Sequence, residues 1–268
     1  MARSTEPCTV WRYEASSGMH PPAGDVIAAE EPLEIKVAGR SVSVTMRTPG
    51  HDDELAIGFL AGEGLIHRRD DVVHVRPCDV ALGASVDVLV AQHVSIDFAS
   101  LTRHVFASSS CGVCGSATIE AVRRRWPRLE GGPSVSAEAL LDLPRRLRAG
   151  QAAFDRTGGI HAAGLFDRTG TSLAIREDVG RHNAIDKLVG MALMDSLLPL
   201  QDHVLMVSGR ISFEIVQKAL AAGVRVVAAV SAPSSLAVDL ATETGITLVG
   251  FLREGRFNVY SHPHRVTT

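Results

Sequence analysis

HVLMVSGRISFEIVQKALAAGVRVVAAVSAPSSLAVDLATETGITLVGFLREGR, residues 203–256, decides the fold. His203–Val207, Arg225–Val230 and Ile246–Phe251 are short, nearly unbroken apolar runs rich in Val, Leu and Ile. Between them, Ser212–Ala222 and Leu236–Thr244 carry apolar residues at helical spacing, and Gly223 and Gly245 follow directly. A strand buried on both faces reads as a continuous apolar run, and glycine is the usual residue just past a helix end. The pattern predicts a βαβαβ unit with a parallel sheet covered by helices.

Working outward, the rest of the chain is more mixed. Residues 1–24 are polar and Pro-containing and predict an irregular segment. Glu34-Ile35-Lys36-Val37 and Val42-Ser43-Val44-Thr45 alternate around Gly39, which predicts a hairpin. Asp52, Asp53 and Glu54 precede the apolar run Leu55–Leu60, as suits a helix start where the dipole is positive. Strands are expected at Val72–Arg76 and Ser85–Ala91. A helix from Ala117 to about Trp126 should stop at Pro127, and another should follow the 129–136 connector through Leu147.

Bulk composition narrows the function. The 268 residues are 46% hydrophobic and 21% charged, ordinary for a globular protein. Net charge is −3 and aromatic content 4%, which argues against a nucleic-acid partner. The amino terminus lacks the apolar core of a secretory signal, and no apolar stretch is long enough to span a bilayer. Four cysteines do not make a disulfide scaffold, so a cytoplasmic protein with reduced thiols is expected.

In open α/β sheets ligands sit beyond the carboxyl ends of the strands. Here those ends carry Ser208-Gly209-Arg210, the Ser231–Ser235 loop with Ser231 and Ser234, and Phe251-Leu252-Arg253-Glu254-Gly255-Arg256. Hydroxyls, glycine amides and arginine forks suit a phosphate-bearing nucleotide. A single such loop is usually only a polar turn; three on one rim favour a binding site. Neither a Walker lysine motif nor Gly-x-Gly-x-x-Gly is present, so ATP hydrolysis and dinucleotide redox chemistry lose support.

Cys111 and Cys114 lie in Ser108–Ser116, a Gly- and Ser-rich loop feeding a predicted helix. A cysteine near a helix amino terminus gains thiolate character, as sulfur carriage and disulfide exchange both require. Structural zinc is the competing reading, since Cys-x-x-Cys is half a site that His104, His161 or His182 could complete. Spacing alone does not choose. Two further stretches crowd polar groups: Thr157-Gly158-Gly159-Ile160-His161, and Glu177-Asp178-Val179-Gly180-Arg181-His182-Asn183 at a strand-to-helix turn. Rigidly held turns often host function, although a lone His is more often a buried structural residue. His161, Arg181 and His182 are candidate ligand contacts.

Several of these stretches match one family in order. Thr-Pro-Gly-x-Asp-x-Glu-Leu-Ala from Thr48, Ser-Ser-Cys-Gly-Val-Cys-Gly from Ser109 and Thr-Gly-Gly-x-His-Ala-Ala from Thr157 are joined by three later motifs. These are Glu-Asp-Val-Gly-Arg-His-Asn from Glu177, Ser-Gly-Arg-x-Ser-Phe-Glu from Ser208 and Ser-Ala-Pro-x-Ser-Leu-Ala-Val from Ser231. The chain after residue 25 resembles the FdhD family of formate dehydrogenase accessory sulfurtransferases. Ser116 stands where many members carry Lys.

The resemblance implies a protein that accepts persulfide sulfur from a cysteine desulfurase. It passes that sulfur to the molybdenum bis(molybdopterin guanine dinucleotide) cofactor, its cargo, before insertion into a molybdenum- or tungsten-dependent formate dehydrogenase. Cys111 takes the sulfur-carrying position, with Cys114 as helper, and the guanine-dinucleotide contact maps to 251–256. A homodimer is implied too, with a cytidine-deaminase-like α/β sandwich around a mixed, partly parallel sheet. The expected organisation is an irregular 1–24, a small α+β unit 25–107, the Cys-x-x-Cys loop, helix and connector 108–135, and the α/β domain 136–268. Deamination itself lacks its parts: His161-Ala162-Ala163 has no Glu, and no Pro precedes the Cys pair. A cofactor chaperone without covalent sulfur transfer is the remaining alternative.

Overall fold

The computed structural model describes residues 4–80, 83–96, 98, 120 and 122–268. In chain order the first strands are β1 (Thr5–Val10), β2 (Tyr13–Glu14), β3 (Gly18–Met19), β4 (Ala23–Ala28), β5 (Glu31–Val37) and β6 (Arg40–Arg47). Helix α1 (Asp52–Gly62) follows, then β7 (Val72–Val80), β8 (Gly83–Val90) and β9 (Val135–Ser136). Helices α2 (Ala137–Ala149) and α3 (Ala152–Thr157) lead to β10 (His161–Asp167) and β11 (Ser172–Asp178). The remainder is α4 (Arg181–Met194), β12 (His203–Val207), α5 (Phe213–Ala221), β13 (Val226–Ala229), α6 (Ser235–Thr244), β14 (Thr247–Arg253), β15 (Arg256–Ser261) and β16 (Val266–Thr267).

The largest sheet has the order β11-β10-β12-β13-β14-β15. Its centre, β12-β13-β14, is parallel as expected, but β10, β11 and β15 pair antiparallel, so the sheet is mixed. One correction concerns the last site loop. β14 runs on to Arg253 and reverses through Glu254-Gly255 into β15, so Leu252 and Arg253 join Phe251 as strand residues of a hairpin. Gly255, with φ +76, supplies the left-handed position that such a reversal needs.

A second correction concerns the amino terminus. Residues expected to be irregular through Gly24 form an antiparallel ribbon, β1 on β4 and β2 on β3. Its polar alternation hid the strands, because neither face is well buried: Trp11, Tyr13, Met19 and Ile27 remain exposed.

The second sheet, β6-β5-β8-β7, contains the expected hairpin. Ala38 and Gly39 both have positive φ, which matches the right-handed twist of the strands they join. Its inner side chains Leu33, Ile35, Val37, Val86 and Val88 enter one apolar cluster with α1, α4, α5, α6 and one face of the large sheet. A smaller cluster covers the opposite face. There Leu140, Leu143 and Leu147, spaced along one side of α2, meet Val204, Met206, Val226 and Val249. Each fully buried Leu is worth about 1.5–3 kcal/mol of transfer free energy.

Helices α1 and α4 cross with almost no side-chain spacing. A Cβ at Gly58 would overlap the Asp186 carbonyl, and one at Gly190 would overlap the Glu54 carbonyl. Glycine at both positions lets the two backbones touch.

Candidate functional site

The turn entering α4 divides its labour residue by residue. Glu177 caps α3 by accepting from the amides of Ala153 and Phe154, both at 2.8 Å. Asp178 is fully buried, and its Oδ1 accepts from Gly180 N at 2.8 Å and Asn183 Nδ2 at 2.9 Å. Its Oδ2 accepts from Thr48 N at 3.2 Å and lies 2.7 Å from Lys187 Nζ. Lys187 also donates to Thr48 O at 2.9 Å and Glu177 O at 3.3 Å. A buried carboxylate and ammonium are tolerable only when paired and fully hydrogen-bonded, as these are. The network ties the Thr48 motif to the Glu177 motif and leaves Arg181 and His182 facing elsewhere.

Arg181 opens α4, and its Nε is buried with no acceptor among the described residues. Gly209 explains the crowding there. A Cβ on it would lie 3.4 Å from His161 Nδ1 and 3.8 Å from Arg181 Cδ, so the Ser-Gly-Arg loop, His161 and Arg181 converge. His182 Nε2 is 3.1 Å from Ser212 Oγ and 4.0 Å from Glu214 Oε2. Burial, with Arg181 and Lys218 adding to it against Glu214, pushes the His182 imidazole down to about 4. Burial and then Arg181 also hold His161 below the usual histidine range, against the pull of Asp178. Both rings are therefore neutral near pH 7 and can donate from one nitrogen and accept at the other.

The three strand-end loops form a continuous rim. Ser208 N donates to Ala162 O, and Ser208 Oγ accepts from Ala162 N, both at 2.9 Å. Ile211 N donates to Ala232 O at 3.1 Å and Ser234 N to Ile211 O at 2.9 Å, which binds the second loop to the first. Phe251 N donates to Ser231 O at 3.1 Å, which binds the third to the second. Ser234 serves as the cap of α6, its Oγ accepting from Ala237 N at 3.3 Å. Phe251 is 37% exposed in a left-handed conformation, with the Arg253 guanidinium 5.9 Å from its ring centroid. Leu252 is buried in the smaller core, so its part is to anchor the hairpin.

A cleft of about 540 Å³ opens beside this rim, lined among others by Phe154, Gly158, Gly159, His161, Ser208 and Val230. It joins the Thr157 motif to the carboxyl ends of β12 and β13, and its size is that of a small-molecule site. Arg210, Arg253, Glu254 and Arg256 stand outside its lining. Ser212 and Glu214 had a sequence signal, since both belong to the Ser208 motif, but nothing in the motif shows that they meet His182. Cys111 and Cys114 lie outside the described residues. Among the described residues no cluster of His, Cys, Asp and Glu is placed to hold a metal ion, and no helix is long and apolar enough to cross a membrane.

The family model of FdhD/NarQ matches residues 28–267. The chain belongs to the FdhD/NarQ family. It is 54% identical over 251 residues to the sulfur carrier protein FdhD of Streptomyces coelicolor, covering 90% of this chain and 89% of that one. The FdhD of Streptomyces avermitilis is 53% identical over 252 residues, with the same shares covered. The expected sulfurtransferase class accords with both names. A solved structure of a formate dehydrogenase accessory protein from Desulfotalea psychrophila superposes with a TM-score of 0.78 at 22% identity. That superposition covers 99% of this chain and all of the other, so the two share a fold.

Proposed function

We propose that this FdhD-family chain carries sulfur as a persulfide on Cys111 and delivers it to the molybdenum bis(molybdopterin guanine dinucleotide) cofactor of a formate dehydrogenase. Membership along residues 28–267 carries the reading. The Cys111 thiolate attacks the terminal sulfur of a cysteine desulfurase persulfide, and the donor cysteine departs as a thiolate. Cys114 then attacks the Cys111 sulfur, a disulfide forms, and sulfide leaves with the bonding pair to ligate the metal. A cellular thiol reductant reopens the disulfide.

The residues toward the cargo are those of the rim. His161 and Ser208 line the cleft, Arg181 brings an unused buried donor, and His182 is a neutral imidazole beside Ser212. Gly209 lets a ligand approach the backbone. Ser231 and the hairpin from Phe251 to Arg256 extend the surface with two guanidiniums, which suits the second phosphate-bearing arm of a bis-nucleotide cargo. A cytidine-deaminase-like sandwich, a homodimer and a cytoplasmic location complete the reading.

Intact-protein mass spectrometry after incubation with an active cysteine desulfurase and cysteine tests it. The expected result is one added sulfur on wild type and on Cys114→Ala, and none on Cys111→Ala. No added sulfur on any form would overturn sulfur carriage and leave the cofactor chaperone.

A further inference from the structure

At the opposite rim, where the parallel strands begin, three arginines gather without a counter-ion. Arg225 immediately precedes β13, and its Nη1 donates to Gln201 Oε1 at 3.3 Å while its Nε is buried with no partner among the described residues. Arg265 is 5% exposed and donates from Nε to Gly131 O at 2.6 Å and from Nη1 to Thr247 Oγ1 at 3.0 Å. The Gly131-Gly132 backbone runs between them: a Cβ on Gly132, which has φ +116, would sit 2.7 Å from Arg265 Nε and 2.8 Å from Arg225 Cδ. Burial lowers the affinity of Arg265 for its proton, and the charges of Arg225 and Arg128 add to that.

Two other arginines that the fold shields are matched by carboxylates. Arg47 is held by Asp52 and Glu31, and Arg176 by Glu54. Among the described residues, neither Arg128, Arg225 nor Arg265 has a carboxylate within ion-pair distance, although their like charges repel. One strand over, His203 opens β12 just before the Val204–Val226 pair, and its Nδ1 is likewise buried and unpartnered among the described residues. Buried donors left unused where like charges converge are the imprint of an absent anion.

We propose that Arg128, Arg225 and Arg265, with the Gly131-Gly132 turn, hold an oxyanion of the phosphate class. Guanidinium forks match the oxygens of a tetrahedral anion, and its double charge offsets three cations better than a carboxylate can. The site lies a full strand length from the cleft and does not depend on the function proposed for it.

The test is thermal denaturation of the full chain titrated with inorganic phosphate or glycerol 3-phosphate, with chloride and acetate controls at equal ionic strength. A saturable rise in Tm with a phosphate and not with the controls is expected, because a ligand of the folded state alone stabilises it by mass action. A larger response to inorganic phosphate identifies the free ion; a larger one to glycerol 3-phosphate identifies a phosphomonoester. Arg225→Gln, and the solvent-exposed Arg128→Gln as a variant safe for folding, should each weaken apparent affinity by about tenfold, while Gly209→Val at the far rim should not. The proposal fails if the controls raise Tm as much as the phosphates, if neither phosphate has an effect, or if Arg225→Gln and Arg128→Gln respond to phosphate as wild type does.

Discussion

Gly58 lies directly against the backbone of Asp186, close enough that even a methyl group at residue 58 would overlap the Asp186 carbonyl oxygen. With Gly190 on the Glu54 carbonyl, this makes a reciprocal contact between two helices drawn from distant parts of the chain.

Gly58→Ala and Gly190→Ala should each destabilise the fold by about 1–3 kcal/mol or more, since overpacking here moves backbone and not flexible side chains. Chemical denaturation measures the loss, and Gly39→Ala, whose Cβ would meet no neighbour but whose φ is positive, shows the cost of backbone strain without crowding. Gly58 and Gly190 sit inside helices, where Ala is otherwise favoured over Gly by about 1 kcal/mol, so no loss at these two positions would mean that the crossing relaxes freely.

Asp186 and Lys218 form a buried pair, with Nζ 2.7 and 2.9 Å from the two carboxylate oxygens. Burial pushes the Asp186 carboxyl up to about 6 against the pull of Lys218. Lys218→Met leaves that carboxyl uncompensated and should cost about 3–5 kcal/mol. Asp186→Leu combined with Lys218→Met should recover most of it, and a double-mutant cycle measures the coupling.

His182 gives stability a pH dependence of defined sign. Between its ordinary pKa of 6.5 and its folded value of about 4, the unfolded chain binds a proton that the folded chain refuses. The contribution of this ring is present above that window and is lost as pH falls through it. Asp186, raised to about 6, works in the opposite direction between 3.8 and that value, so the total slope is a sum. The difference between wild type and His182→Gln isolates the histidine: the variant should lose less stability on acidification from pH 7 to 4. The ring is 32% exposed, so the difference is modest. An identical slope in both proteins would place the proton elsewhere.

Gly209→Val keeps an allowed backbone and fills the space beside His161 and Arg181. Stability should change by no more than about 0.5–1 kcal/mol. Formate dehydrogenase activity in cells relying on this variant should fall severely, as expected if the convergence of these groups receives the cargo. Full activity with an unchanged melt would remove the Ser-Gly-Arg loop from the site.

The parallel centre of the sheet was legible because its strands are continuously apolar and its helices end at Gly223 and Gly245, both at positive φ. The β10 strand was not, and of β11 only its end, at the turn into the helix from Arg181, was legible. Gly164 interrupts β10, while β11 carries Arg176, Glu177 and Asp178, each of which has a partner between 23 and 130 residues away. No local window shows that pairing. The same holds at the site: the Glu177 motif announced its importance, yet only the fold separates Glu177, Asp178 and Lys187, which hold the turn, from Arg181 and His182, which lie toward Gly209 and Ser212. The terminal hairpin was read as a loop because Arg253, Glu254 and Arg256 are charged, and exposed strands at a sheet edge often are.

The shared apolar cluster has a consequence for dissecting this protein. Helix α4 packs against α1 on one side and the large sheet on the other, and β6 reaches its first turn through the Asn183 bond to Met46 O. A fragment beginning at residue 136 would keep every loop of the rim while uncovering the flank of the helix that presents Arg181 and His182. Such a fragment invites aggregation, and grafting the rim onto another scaffold means transplanting α1 with it.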